Sequence, residues 1–209
     1  MQLGFYFDQT RCIGCNACTV SCKDWNQVNP GPVRWRKQEN HEKNNGVSVF
    51  ENLTMSCNHC EEPACMTACA ANAITKTDKG IVIVDRNKCQ ALKACITACP
   101  FAAPHIADDL QEPKKGENWV VDHPMQKCKY CWERIEDGNS PVCVSACPVR
   151  ALDYGDIDNL QRKYPDAVRM NNADFPYAYV NNTNDTKPSF YVKKKTSISI
   201  TKASSNYVK

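Results

Sequence analysis

Apolar residues come in short, broken runs along most of this chain. The longest, Ile81-Val82-Ile83-Val84, has the length of a strand. It follows Ala73-Ile74-Thr75 and the turn residues Asp78-Lys79-Gly80, and the two runs predict a β-hairpin. Each Cys-x-x-Cys stretch is expected to form a loop that opens into a short helix. Residues 26–52 and 105–127 are polar and read as insertions between modules. Beyond about Gly155 there is no cysteine. The last twenty residues, with Lys193-Lys194-Lys195 and the polar stretch Ser197 to Asn206, predict a solvated tail, the alternative being an arm around a partner subunit. No run approaches the ~18 consecutive apolar residues of a membrane span.

Composition changes this picture. Of 209 residues 42 % are hydrophobic, but that figure includes 15 cysteines. Without them the apolar share is about 35 %, modest for one core. Something besides apolar burial is expected to organise the fold, and the cysteines are the obvious source. Fifteen is odd, so a fully paired disulfide framework is excluded unless one thiol stands alone. The formal charge of +3 is small and evenly spread, which gives no case for nucleic acid. Met1-Gln2-Leu3-Gly4-Phe5 has neither a basic nor an apolar leader region. No export signal is expected in the chain itself.

The cysteines fall into four groups: Cys12, Cys15, Cys18, Cys22; Cys57, Cys60, Cys65, Cys69; Cys89, Cys95, Cys99; and Cys128, Cys131, Cys143, Cys147. Asp8-Gln9-Thr10-Arg11-Cys12 matches Asp85-Arg86-Asn87-Lys88-Cys89. Cys69-Ala70-Ala71-Asn72-Ala73-Ile74 matches Cys147-Pro148-Val149-Arg150-Ala151-Leu152. Groups one and three thus share a lead-in, and groups two and four share an exit. The expected class is α+β, with two fused ferredoxin-like modules, each built to hold two iron–sulfur clusters. Residues 1–52 and 109–160 form a split module, residues 53–108 an inserted one, and residues 161–209 a polar C-terminal extension.

Group one reads Cys-x2-Cys-x2-Cys-x3-Cys, a bacterial ferredoxin run whose fourth cysteine serves the other cluster of a pair. The two-residue gaps curl three thiolates around one cubane, while the next thiolate points away toward its neighbour. Zinc is the simpler reading of a lone Cys-x2-Cys pair, but it does not demand this run. Exchange of fourth cysteines within each module predicts four ligand sets. The first is Cys12, Cys15, Cys18 and Cys147, and the second is Cys128, Cys131, Cys143 and Cys22. The third is Cys57, Cys60, Cys65 and Cys99, and the fourth is Cys89, Cys95 and Cys69. Leu92 occupies the missing thiolate's position in the fourth. Three outcomes follow from an aliphatic corner. The simplest is a [3Fe–4S] cluster beside three [4Fe–4S] clusters; the others are a cubane with hydroxide or a nearby side chain on its fourth iron, and no cluster at all. One fewer thiolate raises the expected reduction potential.

These motifs resemble the four-cluster iron–sulfur subunits of the molybdopterin oxidoreductases. The resemblance is carried by Cys12-Ile13-Gly14-Cys15-Asn16-Ala17-Cys18, by Ser56-Cys57-Asn58-His59-Cys60-Glu61-Glu62-Pro63-Ala64-Cys65, and by Lys127-Cys128-Lys129-Tyr130-Cys131 with Pro141-Val142-Cys143-Val144-Ser145-Ala146-Cys147-Pro148. It covers about residues 3–160 and is nearest the dimethyl sulfoxide reductase type, with a nitrate-reductase-like loss of cysteine at Leu92. The resemblance implies an electron-transfer subunit without catalysis of its own. Its partners would be a catalytic subunit with a molybdenum or tungsten bis-pyranopterin and a membrane subunit that handles quinol. The first cluster would lie nearest the catalytic subunit and the Leu92 cluster last. The location implied is the membrane, through a partner, on the periplasmic side if the complex is exported and in the cytoplasm if it is soluble. The rival from another class is a free-standing polyferredoxin.

Among the remaining residues, His59 is read as a neighbour of the cluster ligands or a surface residue. His105 and His123 have no spacing partner. Trp25, Trp35, Trp119 and Trp132 are read as packing or interface anchors. Arg11, Lys23, Lys88 and Lys129 flank cysteines and serve solubility or offset cluster charge.

Overall fold

Strand β1 (Leu3–Asp8) lies inside a four-stranded sheet and is buried along its whole length. The computed structural model describes residues 1–44, 48–174 and 185–195, with backbone alone for 41–44 and 48–50. β1 runs antiparallel to β6 (Leu152–Asp156) and parallel to β8 (Phe190–Lys193), whose other edge pairs with β7 (Val168–Arg169). The sheet order is β6-β1-β8-β7. Both faces of β1 are covered, which is why Leu-Gly-Phe-Tyr-Phe shows no polar alternation. Phe5, Phe7, Phe190 and Val192 join the main core. Tyr6 and Tyr191 pack with Ile157 and Leu160 of helix α6 (Ile157–Lys163). Gly4 is required by close approach: a β-carbon there would sit 2.5 Å from the Ser189 carbonyl oxygen.

The hairpin around Asp78-Lys79-Gly80 forms as expected, from β4 (Ile74–Lys76) and β5 (Val82–Val84), with Ile74 opposite Val84. Short helices follow the cysteine loops: α1 (Ala17–Trp25), α2 (Ala64–Thr67), α3 (Ala94–Ala98), α4 (Trp132–Glu136) and α5 (Val142–Ser145). Two features differ from expectation. Much of the polar insertion 26–52 is an arm of a long antiparallel hairpin, β2 (Arg36–Asn44) and β3 (Ser48–Ser56), whose register runs from Arg36 opposite Ser56 to Asn44 opposite Ser48. The C-terminal extension is not all solvated tail. Residues 186–193 return to the body of the molecule, where Thr186, Ser189, Phe190, Tyr191 and Val192 are buried. The rest of that expectation, residues 196–209, lies outside the described residues. Among the described residues, no helix is long and apolar enough to cross a membrane.

The main core contains six cysteines among its twenty buried residues, so thiols occupy space that side-chain hydrocarbon fills in an ordinary domain. A second cluster gathers Cys65, Cys89 and Cys95 around Ala73, Ile74, Val82 and Met125.

Helix α6 starts on a side-chain cap. Asp156 Oδ1 accepts from the backbone N–H groups of Asp158 at 3.1 Å and Asn159 at 3.3 Å. Asp156→Ala is expected to cost about 1 kcal/mol. Thermal unfolding of the cluster-loaded chain measures it, and an unchanged Tm would exclude a working cap.

Candidate metal centres

All fifteen cysteines are free of disulfides. The fold brings them together across long stretches of sequence. Cys12 lies within electrostatic reach of Cys15, Cys18 and Cys147. Cys22 faces Cys128, Cys131 and Cys143. Cys60 faces Cys57, Cys65 and Cys99. Cys95 faces Cys89 and Cys69. One cavity is lined by Cys12, Cys15, Cys18 and Cys147, and another by Cys69, Cys89, Cys95 and Leu92. Leu92 is 60 % exposed, so that corner of the second cavity faces outward. No three His, Cys, Asp or Glu side chains among the described residues converge as they would on a single metal ion.

Electrostatic reach also runs between the expected sets: Cys18 acts on Cys143, Cys57 on Cys128, and Cys95 on Cys65. These three pairs link the first set to the second, the second to the third, and the third to the fourth.

A repeated backbone turn shapes each loop. The second residue after the leading cysteine has positive φ in all four groups: Gly14 (71°), His59 (43°), Ala91 (52°) and Tyr130 (64°). Glycine adopts this conformation freely, and the other three are held there by their surroundings. In the fourth group the turn aims a backbone N–H at sulfur: Tyr130 N–H donates to Cys128 Sγ at 3.4 Å. Cys89 Sγ accepts from a distant segment, from Met125 N–H at 3.3 Å. The exit loops repeat as well: Asn72, Ala102 and Arg150, each three residues after a cysteine, have φ of 48°, 47° and 50°. Ala151 N–H donates to Cys147 Sγ at 3.2 Å. Such N–H groups favour anionic sulfur.

Burial opposes that anion. It pushes the Cys128 and Cys65 thiols up to about 12, helped in both cases by nearby Cys57. Cys99 rises to about 11 for the same first reason, although N–H donors from Ala103 and Phe101 pull it down. Cys22 and Cys60 are pushed up further, again chiefly by burial. Buried thiols aimed at by N–H donors fit ligands whose negative charge is taken up by an inorganic group.

Sequence reasoning missed two buried cations that serve the same end. Arg36 is 2 % exposed. One guanidinium nitrogen donates to Thr54 Oγ1 at 3.3 Å and another to Ser56 Oγ at 3.0 Å, while the group lies 4.7 Å from the Phe5 ring centroid. Thr54 Oγ1 is in turn 3.4 Å from Cys18 Sγ. Lys127 Nζ donates to the Val82 carbonyl and, at 3.1 Å, to the Cys128 carbonyl, and its charge acts on Cys65 and Cys99. No apolar pattern marks Arg36 in Arg34-Trp35-Arg36-Lys37. Only its place at the start of a strand turns it inward.

His59 is wholly buried rather than at the surface. Its Nδ1 accepts from Val82 N–H at 3.0 Å, and its ring meets Tyr130 edge-on. Burial, then the Lys127 and Arg36 charges, keeps its imidazole neutral. Thr186 lies close enough to lower the Cys60 thiol, while its hydroxyl donates to Asn172 Oδ1 at 2.8 Å; no cysteine spacing could reveal this neighbour. The flanking cations pair at the surface instead: Lys88 with Asp85 at 3.3 Å and Lys129 with Glu133 at 2.7 Å. The tryptophans act as anchors, with Arg86 over Trp119 at 4.0 Å and Trp35 donating to Gln126 at 2.8 Å. His105 is held down to about 4 by burial, and His123 binds Asp109 at 3.0 Å.

Comparison with known proteins meets this geometry. Two family models, each described as a 4Fe-4S dicluster domain, match residues 49–157 and 11–73. The chain is 37 % identical over 201 residues to the B subunit of the anaerobic dimethyl sulfoxide reductase of Escherichia coli (strain K12), covering 92 % of this chain and 88 % of the relative. It is 38 % identical over 154 residues to the thiosulfate reductase electron transfer subunit PhsB of Salmonella typhi, covering 72 % and 74 %. The arsenate respiratory reductase iron-sulfur subunit ArrB of Shewanella sp. (strain ANA-3) is 26 % identical over 207 residues, covering 81 % and 88 %.

Proposed function

Because the chain belongs to the iron–sulfur subunits of the dimethyl sulfoxide reductase type, and so transfers electrons for a catalytic partner subunit, we propose that its fifteen cysteines hold a four-member relay. Bound there, the clusters supply one-electron sites. The ligand sets are Cys12, Cys15, Cys18 and Cys147; Cys22, Cys128, Cys131 and Cys143; Cys57, Cys60, Cys65 and Cys99; and Cys69, Cys89 and Cys95. The observation that carries the order is the electrostatic pairing of Cys18 with Cys143, Cys57 with Cys128, and Cys95 with Cys65. It supports a split module, 1–52 with 109–160, around an inserted one, 53–108.

We place a [3Fe–4S] cluster in the fourth set and [4Fe–4S] clusters in the other three. The loop around Leu92 keeps the left-handed residue Ala91 of its cysteine-complete counterparts, and Lys93 repeats that of Asn16. The scaffold is thus retained while one ligand is absent. Oxidised protein is expected to give an S = 1/2 three-iron resonance, and Leu92→Cys to remove it. A resonance-free oxidised sample with full iron loading would refute the assignment.

The relatives named as reductase subunits support a catalytic partner, which we place as a subunit with a molybdenum or tungsten bis-pyranopterin. We place the second partner in the membrane, exchanging electrons with quinol near the fourth set. Native gel filtration tests the arrangement. Co-elution with a large molybdenum- or tungsten-containing chain supports it, and elution alone favours a free polyferredoxin.

A further inference from the structure

Arg36 brings a permanent charge into the interior, and the anions around it are sulfurs. Its largest partners are Cys143, Cys18, Cys128 and Cys22, all members of the first two sets. Its hydrogen bonds are directed in the same way. The Thr54 hydroxyl, which accepts from Arg36, lies 3.4 Å from Cys18 Sγ in the first set, and the guanidinium charge pulls on the buried Cys143 thiol in the second. Ser56 and the Phe5 ring fix the remaining donors and the face of the plane. Such a fork cannot swing out to water, so its charge is fixed in a poorly screened place.

We propose that Arg36 is a positioning residue for electron transfer across the junction of the first and second sets, raising the reduction potential of both. The inference rests on the relay reading above. Reduction adds an electron to a site, and a fixed cation stabilises the added negative charge. Net charge and hydrogen bonding to sulfur are established terms in cluster potential. One guanidinium shared between two sites moves both the same way. The expected shift falls on the first two sets, with the third and fourth little changed.

The test is a potentiometric titration of the full chain in its native complex, followed by electron paramagnetic resonance. Iron and sulfide are assayed first, and Cys15→Ser and Cys131→Ser assign the first two signals. Arg36→Met is expected to lower the reduction equilibrium constant of both by about tenfold each, some 59 mV for one electron, with the other two signals unmoved. Arg36→Lys, which restores charge without the fork, should recover most of that shift. Thr54→Val keeps the charge and should move the first signal alone. Equal shifts in the Met and Lys variants, or unmoved potentials in a fully loaded Met variant, would overturn the role of Arg36 while leaving the relay intact. If the Met variant fails to assemble, the Lys and Val variants decide: wild-type potentials in the Val variant would overturn the coupling through Thr54. Wild-type protein without iron and sulfide would overturn the relay reading itself.

Discussion

Removing iron from the chain is expected to unfold it. Chelation under reducing conditions should abolish the near-ultraviolet circular dichroism and the cooperative thermal transition together. The core explains why. Six of the twenty residues in its main cluster are cysteines, and the second cluster holds three more. Without metal these thiols become small neutral groups around gaps, with Cys65 and Cys128 pushed up to about 12 and so protonated at neutral pH. Arg36 then loses the anions that face it. A buried charge stripped of its partner costs about 3–5 kcal/mol, against about 5–15 kcal/mol for a whole domain. A metal-free chain that keeps a sharp transition would show that hydrocarbon packing alone carries the fold.

The second large effect is expected in the middle of the relay. In the proposed relay Cys57 is a ligand of the third set, and its charge acts on Cys128 of the second. Cys57→Ala should reduce end-to-end electron transfer to background while the first two sets remain reducible by dithionite. Rapid-mixing spectroscopy with donor at one end and acceptor at the other separates the two effects. Transfer at more than half the wild-type rate would mean that electrons bypass the third set.

The chemistry of this chain is legible in its sequence because the cysteines of each group lie in one short stretch, although the fourth ligand of a set comes from a distant group. A loop of two-residue gaps needs its cysteines at fixed offsets, and each offset is visible, as is the missing cysteine at Leu92. The hairpin at 74–84 is legible for the same reason, since its turn and both strands lie within eleven residues. What the sequence hides is held by contacts between distant segments. Phe190–Lys193 is a strand because β1 and β7 offer it two edges. Phe-Tyr-Val are strand formers, but the polar stretch around them masks so short a run. The β2–β3 hairpin has few apolar positions to betray it: Arg36–Asn44 reads Arg-Lys-Gln-Glu-Asn-His-Glu-Lys-Asn. Arg36 itself is hidden in a basic run that normally faces water. Its inward direction is set by its place in β2, and the sulfurs it meets there come from residues 18 to 143. Thr186 is similar: the segment around it is anchored by the carbonyls of Lys187 and Thr186, which accept from Glu61 and Glu62 N–H groups at 3.0 and 3.1 Å.

The most direct test of the relay is quantitative iron and acid-labile sulfide analysis of anaerobically purified protein. Three cubanes and one three-iron cluster require about fifteen iron and sixteen sulfide per chain. Two to four zinc ions with no sulfide would contradict the relay outright.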